Sequence, residues 1–186
     1  YTEGITYSSS KLINEHVNVF DDYTENWLRE FRSRFNEESV LPFLESLEPK
    51  SALIIGETIV DEYIFGKALG KSGKDPILAF QYQTTETYAG GVLAIANHLS
   101  DFISSAGVLT VLGAEKSRFE FVQQSLKKNV QMYQVTQKAV PTIHKKRFLD
   151  SHSGNKQFEL YEMVDRPVDQ DTEDKLVIFL PLQVEF

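Results

Sequence analysis

The sequence predicts an α/β protein with a mostly parallel sheet, flanked by helices and preceded by a helical extension. From residue 51 onward, short apolar runs alternate with amphipathic segments, and this β-α-β rhythm implies parallel strands. Residues 1–50 instead carry apolar side chains at helical spacing. Two later segments flank a turn-rich link at residues 151–155, which predicts a β-hairpin. We therefore expect a domain boundary between residues 50 and 51.

The extension at residues 1–50 predicts three short helices. The first covers residues 8–19 and begins at a run of serines, which are common helix N-caps. Asp21 and Asp22 cap the second helix, whose aromatic and leucine side chains recur at helical spacing. The third helix has Pro42 near its start and ends at Pro49.

The second region, residues 51–186, predicts alternating strands and helices. Strands are expected at residues 52–55, 63–65, 77–83, 108–112 and 130–135, and the hairpin at 142–150 and 156–164. Helices are expected at residues 91–102, 118–126 and 169–180.

Composition limits the classes of function that fit the chain. Hydrophobic residues make up 41% of the 186 residues, enough for a core. The absence of cysteine excludes disulfides, thiolate metal sites and a cysteine nucleophile. A net charge of −8 argues against binding to a phosphate backbone, so no nucleic-acid partner is expected. Neither a membrane span nor a signal peptide is evident, and we expect a cytoplasmic protein.

Four motifs follow one another between residue 52 and about residue 165. An apolar run ends at Gly56 with Asp61 soon after, and the pair Gly90-Gly91 precedes a helical segment. Residues 140–147 read V-P-T-I-H-K-K-R, and residues 157–162 read Q-F-E-L-Y-E. This order resembles the N-terminal half of the ribokinase/PfkB-type carbohydrate kinases, closest to the heptose-phosphate kinase domain of ADP-heptose synthases.

The resemblance implies a partial ribokinase-like fold with a small β lid and a sugar or sugar phosphate as substrate. Asp61, just past the first strand, and Gly90-Gly91 would face the sugar. Lys145 and Arg147, two apart on one strand, would bind its phosphate. The intact parent would use ATP and Mg²⁺. Separately, a single lid sheet leaves one apolar face open, so we expect a homodimer through the lid strands. Glu57 and Glu62, in the same loop as Asp61, are expected to be solvated.

The chain departs from the family pattern at two places. Many relatives carry an asparagine a few residues after the glycine pair, where this chain has an apolar run at residues 92–95 and Asn97 one turn later. The Gly-rich D-T-x-G-A-G-D-type segment, which carries the family's catalytic base, is absent. We therefore assign no catalytic residue and no cofactor to this chain alone, and expect it to be inactive by itself.

Each candidate residue also has a purely structural interpretation. Asp61 would serve as a cap or pair with a lysine, and the glycine pair would make a tight turn. Lys145 and Arg147 would be solvated charges that guard a hairpin edge. Lys71 and Lys74 lie in a Gly/Lys-rich loop without the spacing of a phosphate-binding loop.

Two further interpretations concern metals and the parent protein. The four histidines (His16, His98, His144 and His152) lack the spacing of a metal site, and no metal is expected. Residues 4–13 resemble the closing segment of nucleotidyltransferase domains fused to such kinases, which would make the parent a bifunctional sugar-nucleotide synthesis protein. The alternative from another class is a non-catalytic, kinase-like module that serves dimerisation or partner binding.

Overall fold

The structure, a computed structural model, describes residues 20–182 of the chain. The helix predicted at residues 8–19 and the segment that resembles a nucleotidyltransferase lie outside the described residues. The chain divides into two compact units between Glu45 and Ser46. None of the described helices is both long and apolar enough to cross a membrane.

The described part of the first unit contains two helices, α1 (Asp22–Arg34) and α2 (Glu37–Glu45). Asp21 caps α1 as predicted, because its carboxylate accepts from the backbone N–H of Thr24 at 2.7 Å. The predicted bounds of the next helix were wrong: Pro42 lies in the interior of α2, and the helix ends before Pro49. Its start is set by Asn36, whose side chain accepts from Ser39 N at 3.0 Å.

The second unit contains seven strands and three helices within the described residues. The strands are β1 (Ser51–Ile55), β2 (Thr58–Lys71), β3 (Leu78–Gly91), β4 (Ser105–Glu115), β5 (Val130–Pro141), β6 (Ile143–Asp150) and β7 (Lys156–Glu162). The helices are α3 (Val92–Leu99), α4 (Phe119–Ser125) and α5 (Gln170–Leu182).

The first sheet is the parallel sheet that the sequence predicts. Its order is β1-β4-β5, and both neighbouring pairs run parallel. The central strand β4 is apolar because both of its faces are covered, with Val108 and Leu112 at most 1% exposed. Leu93 and Ala96 of α3 and Val122 of α4 complete the core on one side. This arrangement confirms the α/β class and places the C-terminal ends of three strands at one edge.

The second sheet, called the lid sheet below, has the order β3-β2-β6-β7. It consists of two antiparallel hairpins, β2–β3 and β6–β7, which are joined by a parallel pairing of β2 with β6. The sequence predicted β2 only at residues 63–65, whereas the strand begins at Thr58 and ends at Lys71. Both faces of this sheet carry polar side chains, so acids and glycines interrupt the apolar pattern of β2. The sequence therefore showed only a short part of the strand.

The two sheets meet where β5 turns into β6. Thr142 joins them, since its hydroxyl donates to Ser117 O at 2.7 Å and accepts from Gly113 N at 3.0 Å. Gly113 allows this close approach, because a Cβ atom there would lie 2.2 Å from the carbonyl carbon of Pro141. The backbone at the junction therefore has no room for any side chain at position 113.

We predict that Gly113→Ala destabilises the protein by about 3 kcal/mol, because the added methyl group overlaps backbone atoms that cannot rotate away. Gly73→Ala is the matched control, since no atom lies within 4 Å of a Cβ atom there. Urea unfolding of both variants measures the difference. Equal midpoints for the two variants would contradict the packing described at the junction.

Candidate functional site

One face of the lid sheet collects four of the five residues singled out from the sequence. Side chains at alternate positions of a strand point to the same face, and the strand register extends this relation across neighbouring strands. Gly90, opposite Ile59, belongs to this face as well. We call it the Asp61 face; its polar and aromatic residues are Asp61, Tyr63, Glu86, Tyr88, Lys145, Arg147, Glu159 and Tyr161.

Asp61 lies within β2, not in the loop after β1 where the sequence placed it. The earlier start of β2 at Thr58 causes this difference. Arg147 donates through Nη1 to Asp61 Oδ1, and the two side chains are only 17% and 20% exposed. The pKa of Arg147 is raised, chiefly by this hydrogen bond. Asp61 is therefore a half-buried partner of Arg147 as well as a candidate ligand.

Arg147 also contacts a second acid. Its Nε atom lies 3.2 Å from Glu159 Oε1 on β7, so the guanidinium is held between two carboxylates. Lys145 belongs to no ion pair among the described residues, and its ammonium lies 5.4 Å from the ring centre of Tyr161. The two basic residues thus have different surroundings: Arg147 is held in place, and Lys145 keeps its charge available.

The two glycines stand at the end of β3, and the predicted helix start at residue 91 was therefore one residue early. A Cβ atom at Gly90 would lie 2.1 Å from Asp61 Oδ2, so glycine leaves the space that the carboxylate occupies. Gly91 has φ 58° and ψ −134°, a conformation that is essentially confined to glycine. Gly90 therefore makes room for the candidate carboxylate, and Gly91 allows the turn before α3.

Sequence reasoning missed the aromatic residues of the Asp61 face. The ring of Tyr63 meets that of Tyr88 edge-on, with 5.7 Å between the ring centres. The guanidinium of Arg147 also lies near Tyr63, with Cζ 5.3 Å from the ring centre. The available signal was a tyrosine two residues after an acid on three strands, which places each pair on one face: Asp61 and Tyr63, Glu86 and Tyr88, Glu159 and Tyr161.

A cavity of about 220 Å³ lies at the C-terminal edge of the parallel sheet. Apolar side chains of β1, β4 and α5 line much of it, and its polar residues include Glu57, Gln137 and Arg166. Glu57 is exposed, as predicted. Ile143, which lies on the same face as Asp61, also lines the cavity, so the cavity adjoins the Asp61 face at the base of β6.

The contacts of Asn97 and Glu62 show a structural role for each of these residues. Asn97 is a structural residue, because its amide donates to Ser125 O at 2.7 Å and accepts from Lys127 N at 3.0 Å. Glu62 was expected to be solvated, but it lies on the opposite face against the buried His144. Among residues 20–182, no group of three or more histidine, aspartate and glutamate residues could hold a metal ion.

The chain is similar in fold to two solved kinase structures. The phosphofructokinase-2 of Escherichia coli, in complex with fructose-6-phosphate, matches 73% of this chain with a TM-score of 0.51 and 16% identity. A candidate sugar kinase from Clostridium perfringens matches 71% of it with a TM-score of 0.52 and 18% identity. The chain has part of a ribokinase-like fold. The predicted partial ribokinase-like fold is thus confirmed.

A curated relative gives the same indication in sequence. The bifunctional protein HldE of a Nitratiruptor species is 29% identical over 100 residues, which are 54% of this chain. This match confirms the resemblance noted from the sequence motifs. The chain spans 21% of the length of that relative and 40% to 42% of the two kinase structures. No protein-family model matches the chain.

We predict that the two glycines differ in their tolerance of alanine. Gly91→Ala should cost about 2 kcal/mol or more, because a Cβ atom would lie 2.4 Å from the backbone oxygen of Glu57 in a conformation that only glycine adopts readily. Gly90→Ala should be milder, since the nearest obstacle is a side-chain carboxylate that can rotate. Thermal unfolding compares them, and a greater loss for Gly90→Ala would refute this account.

Proposed function

We propose that residues 51–186 are the sugar-binding half of an ATP-dependent carbohydrate kinase that acts on a sugar or sugar phosphate. The observation that carries this proposal is the seating of Asp61 against Gly90 on the Asp61 face, within the ribokinase-type fold. Ligands of open α/β sheets collect beside the C-terminal ends of the strands, and the cavity adjoining this face lies at that edge. The matches to sugar kinases support the same assignment.

Asp61 would accept hydrogen bonds from the sugar through one oxygen atom. Oδ1 is occupied by Arg147, whereas Oδ2 lies in the space that the missing side chain of Gly90 leaves and has no hydrogen-bond partner among the described residues. A carboxylate oxygen held in this way suits a sugar, whose ring hydroxyls need acceptors of fixed geometry. Arg147 then positions the carboxylate, and we assign the contact with a sugar phosphate first to Lys145, whose ammonium has no anionic partner among the described residues.

The chemistry of phosphoryl transfer would come from the rest of the parent protein. Catalysis of this reaction depends on groups that position the phosphates and neutralise charge on them. The sequence lacks the Gly-rich segment expected for that task, and the described residues offer no carboxylate cluster for Mg²⁺. These residues do not fit ATP and Mg²⁺ by themselves, so we assign them substrate contacts only.

We predict that Asp61→Ala in the intact parent weakens sugar binding about 10-fold or more, because a buried hydroxyl loses its charged acceptor. Gly90→Ala should produce a similar loss by displacing the carboxylate. Glu86→Gln is the matched control, since Glu86 lies on the same face but away from Gly90. Calorimetric titration with a panel of sugars and sugar phosphates measures the affinities.

Measuring the stability of the Asp61→Ala variant distinguishes a loss of sugar binding from a loss of folding. The half-buried ion pair with Arg147 is lost, but Glu159 still neutralises the guanidinium, so we expect a loss of only about 1 kcal/mol. Unchanged sugar affinity would remove Asp61 from the site. That result would favour the non-catalytic module, the alternative that the comparisons do not otherwise support.

We also predict that the isolated chain releases no ADP from ATP in response to any added sugar, because the groups that stabilise the transferring phosphoryl are missing from its sequence. A coupled assay for ADP with purified protein tests this. Sugar-dependent ADP release, absent from the Asp61→Ala variant, would show that the chain is catalytically complete.

We further propose that the lid strands dimerise through the face opposite Asp61. Phe158 is 48% exposed there and stacks on Phe148, with 4.1 Å between the ring centres. Exposed aromatic surface of this kind favours a second copy as partner. We predict a dimer at micromolar concentration that Phe158→Ser weakens and Phe43→Ser, in the first unit, does not. Sedimentation that shows only monomer for the native chain would contradict it.

Two finer proposals about the parent rest on the sequence. The segment at residues 4–13 supports fusion to a nucleotidyltransferase, and the lack of cysteine agrees with a cytoplasmic location. The gene sequence around this chain tests the nucleotidyltransferase proposal and the kinase proposal. An H-x-G-H-type segment upstream supports the nucleotidyltransferase, and a G-A-G-D-type segment downstream supports the kinase.

A further inference from the structure

A buried histidine lies on the reverse of the strand that carries Lys145. His144 is 2% exposed and faces away from the sugar-binding side, towards the loop that follows β4. Every element packed around its ring contributes a charged group: Glu62 from β2, Lys146 from β6, Glu162 from β7, and Arg118 from the loop. Lys116 of the same loop reaches Glu162 at 3.0 Å. The histidine therefore stands at the contact between the lid sheet and the parallel-sheet layer.

The distances around the ring favour one neutral tautomer. Nδ1 lies 3.4 Å from Arg118 Nη2, which can only donate, so Nδ1 must be the acceptor. The proton then sits on Nε2, which lies 2.6 Å from Glu62 Oε2. That contact is close, yet it is not aligned as a regular hydrogen bond, so it is mainly electrostatic. In this state the neutral ring lies between Arg118 and Glu62 and contacts both. We call this arrangement the Arg118–His144–Glu62 relay.

The loop that supplies Arg118 is held in an unfavourable backbone conformation. Lys116 has φ 44° and Arg118 has φ 57°, values that residues with a side chain rarely adopt. Such conformations persist where surrounding contacts hold them. Three contacts do so here: Lys116 with Glu162, Thr142 with the backbone oxygen of Ser117, and Arg118 with His144.

A second proton on His144 would turn the attractive contact with Arg118 into a repulsive one. Nδ1 would then carry a hydrogen and a share of positive charge, and would face a guanidinium 3.4 Å away with no lone pair to offer. Glu162 Oε2, 4.0 Å from Nδ1, is the acceptor on the other side. The pKa of Glu162 is lowered to about 2, chiefly by its hydrogen bond to Lys146 and then by that to Lys116, so this carboxylate stays charged throughout.

We propose that the Arg118–His144–Glu62 relay is a pH-sensitive latch between the lid sheet and the loop at residues 116–118. The neutral ring holds Arg118 and keeps the loop in its strained conformation. The protonated ring turns to Glu62 and Glu162, releases Arg118, and lets the loop relax. The latch depends only on contacts within the second unit, and it operates whether or not the chain binds a sugar.

The pH range follows from the burial of the ring. Burial is the main cause that lowers the pKa of His144 below its ordinary value of 6.5, with Arg118 and Lys146 acting in the same direction and Glu62 and Glu162 against it. The unfolded chain therefore binds the proton more readily than the folded chain does. The stability that the neutral ring contributes is present above pH 6.5 and is lost as the pH falls from there towards the lower pKa of the folded state.

Nuclear magnetic resonance of the full chain tests the latch, with His144→Gln assigning one of its four imidazole signals. We expect His144 to titrate below the ordinary histidine pKa of 6.5 and to carry its neutral proton on Nε2. Arg118→Gln should move the titration of His144 upward, because the opposing guanidinium is gone. Lys127→Gln is the control of equal charge, since Lys127 pairs with Asp101 instead.

Hydrogen exchange then shows whether the loop responds. The pH is lowered from about 7.5 to about 5, through the range in which histidine titrates. After correction for the change in intrinsic exchange rate, the amides at residues 116–118 should exchange severalfold faster at the lower pH. His144→Gln should abolish this extra exchange. The proposal is overturned if His144 titrates at pH 6.5 or above, if Arg118→Gln leaves its titration unchanged, or if the native protein and His144→Gln exchange alike. Arg118 is exposed, so the Arg118→Gln arm stands even if His144→Gln fails to fold, because substitutions of the other three histidines then assign the His144 signal by elimination.

Discussion

The parallel pairing of β2 with β6 is the constraint on which the lid sheet and both of its polar faces depend. This pairing joins two antiparallel hairpins, and its register sets Asp61 beside Lys145 and Tyr63 beside Arg147. Each face of the joint carries one close polar contact between side chains, Asp61 with Arg147 on one side and Glu62 with His144 on the other. A shift of one residue would exchange the two faces, so the residue arrangements of the Asp61 face and of the histidine latch depend on the same register.

The sequence predicts the layered part of the fold well, because its signals are local. The apolar run of β4 and the helical face with Leu93 and Ala96 are covered by neighbours close in sequence, and the structure places them in the core. The lid sheet was harder to predict. Its strands are long and polar on both faces, and pairing partners such as β2 and β6 are far apart in the chain, so β2 was predicted at only a few of its residues.

In the candidate site, too, the features that belong to short sequence motifs could be predicted, and those that depend on contacts between distant segments could not. Asp61 and the glycine pair could be found because they belong to short motifs, and the structure seats one against the other. The ion pair between Asp61 and Arg147 could not be found, since it depends on strand register. The tyrosines could have been found from their spacing, because an acid and a tyrosine two apart on a strand share a face.

The central claim is that a sugar or sugar phosphate binds on the Asp61 face. Amide chemical-shift mapping of the isotope-labelled chain, titrated with a panel of sugar phosphates, tests it most directly because it reports the position of the ligand. The account predicts that the largest shifts fall at Asp61, Gly90 and Lys145, and that Lys127, remote from this face, is unaffected. Shifts confined to the opposite face around Phe158, or shifts of equal size throughout the lid sheet, would contradict it.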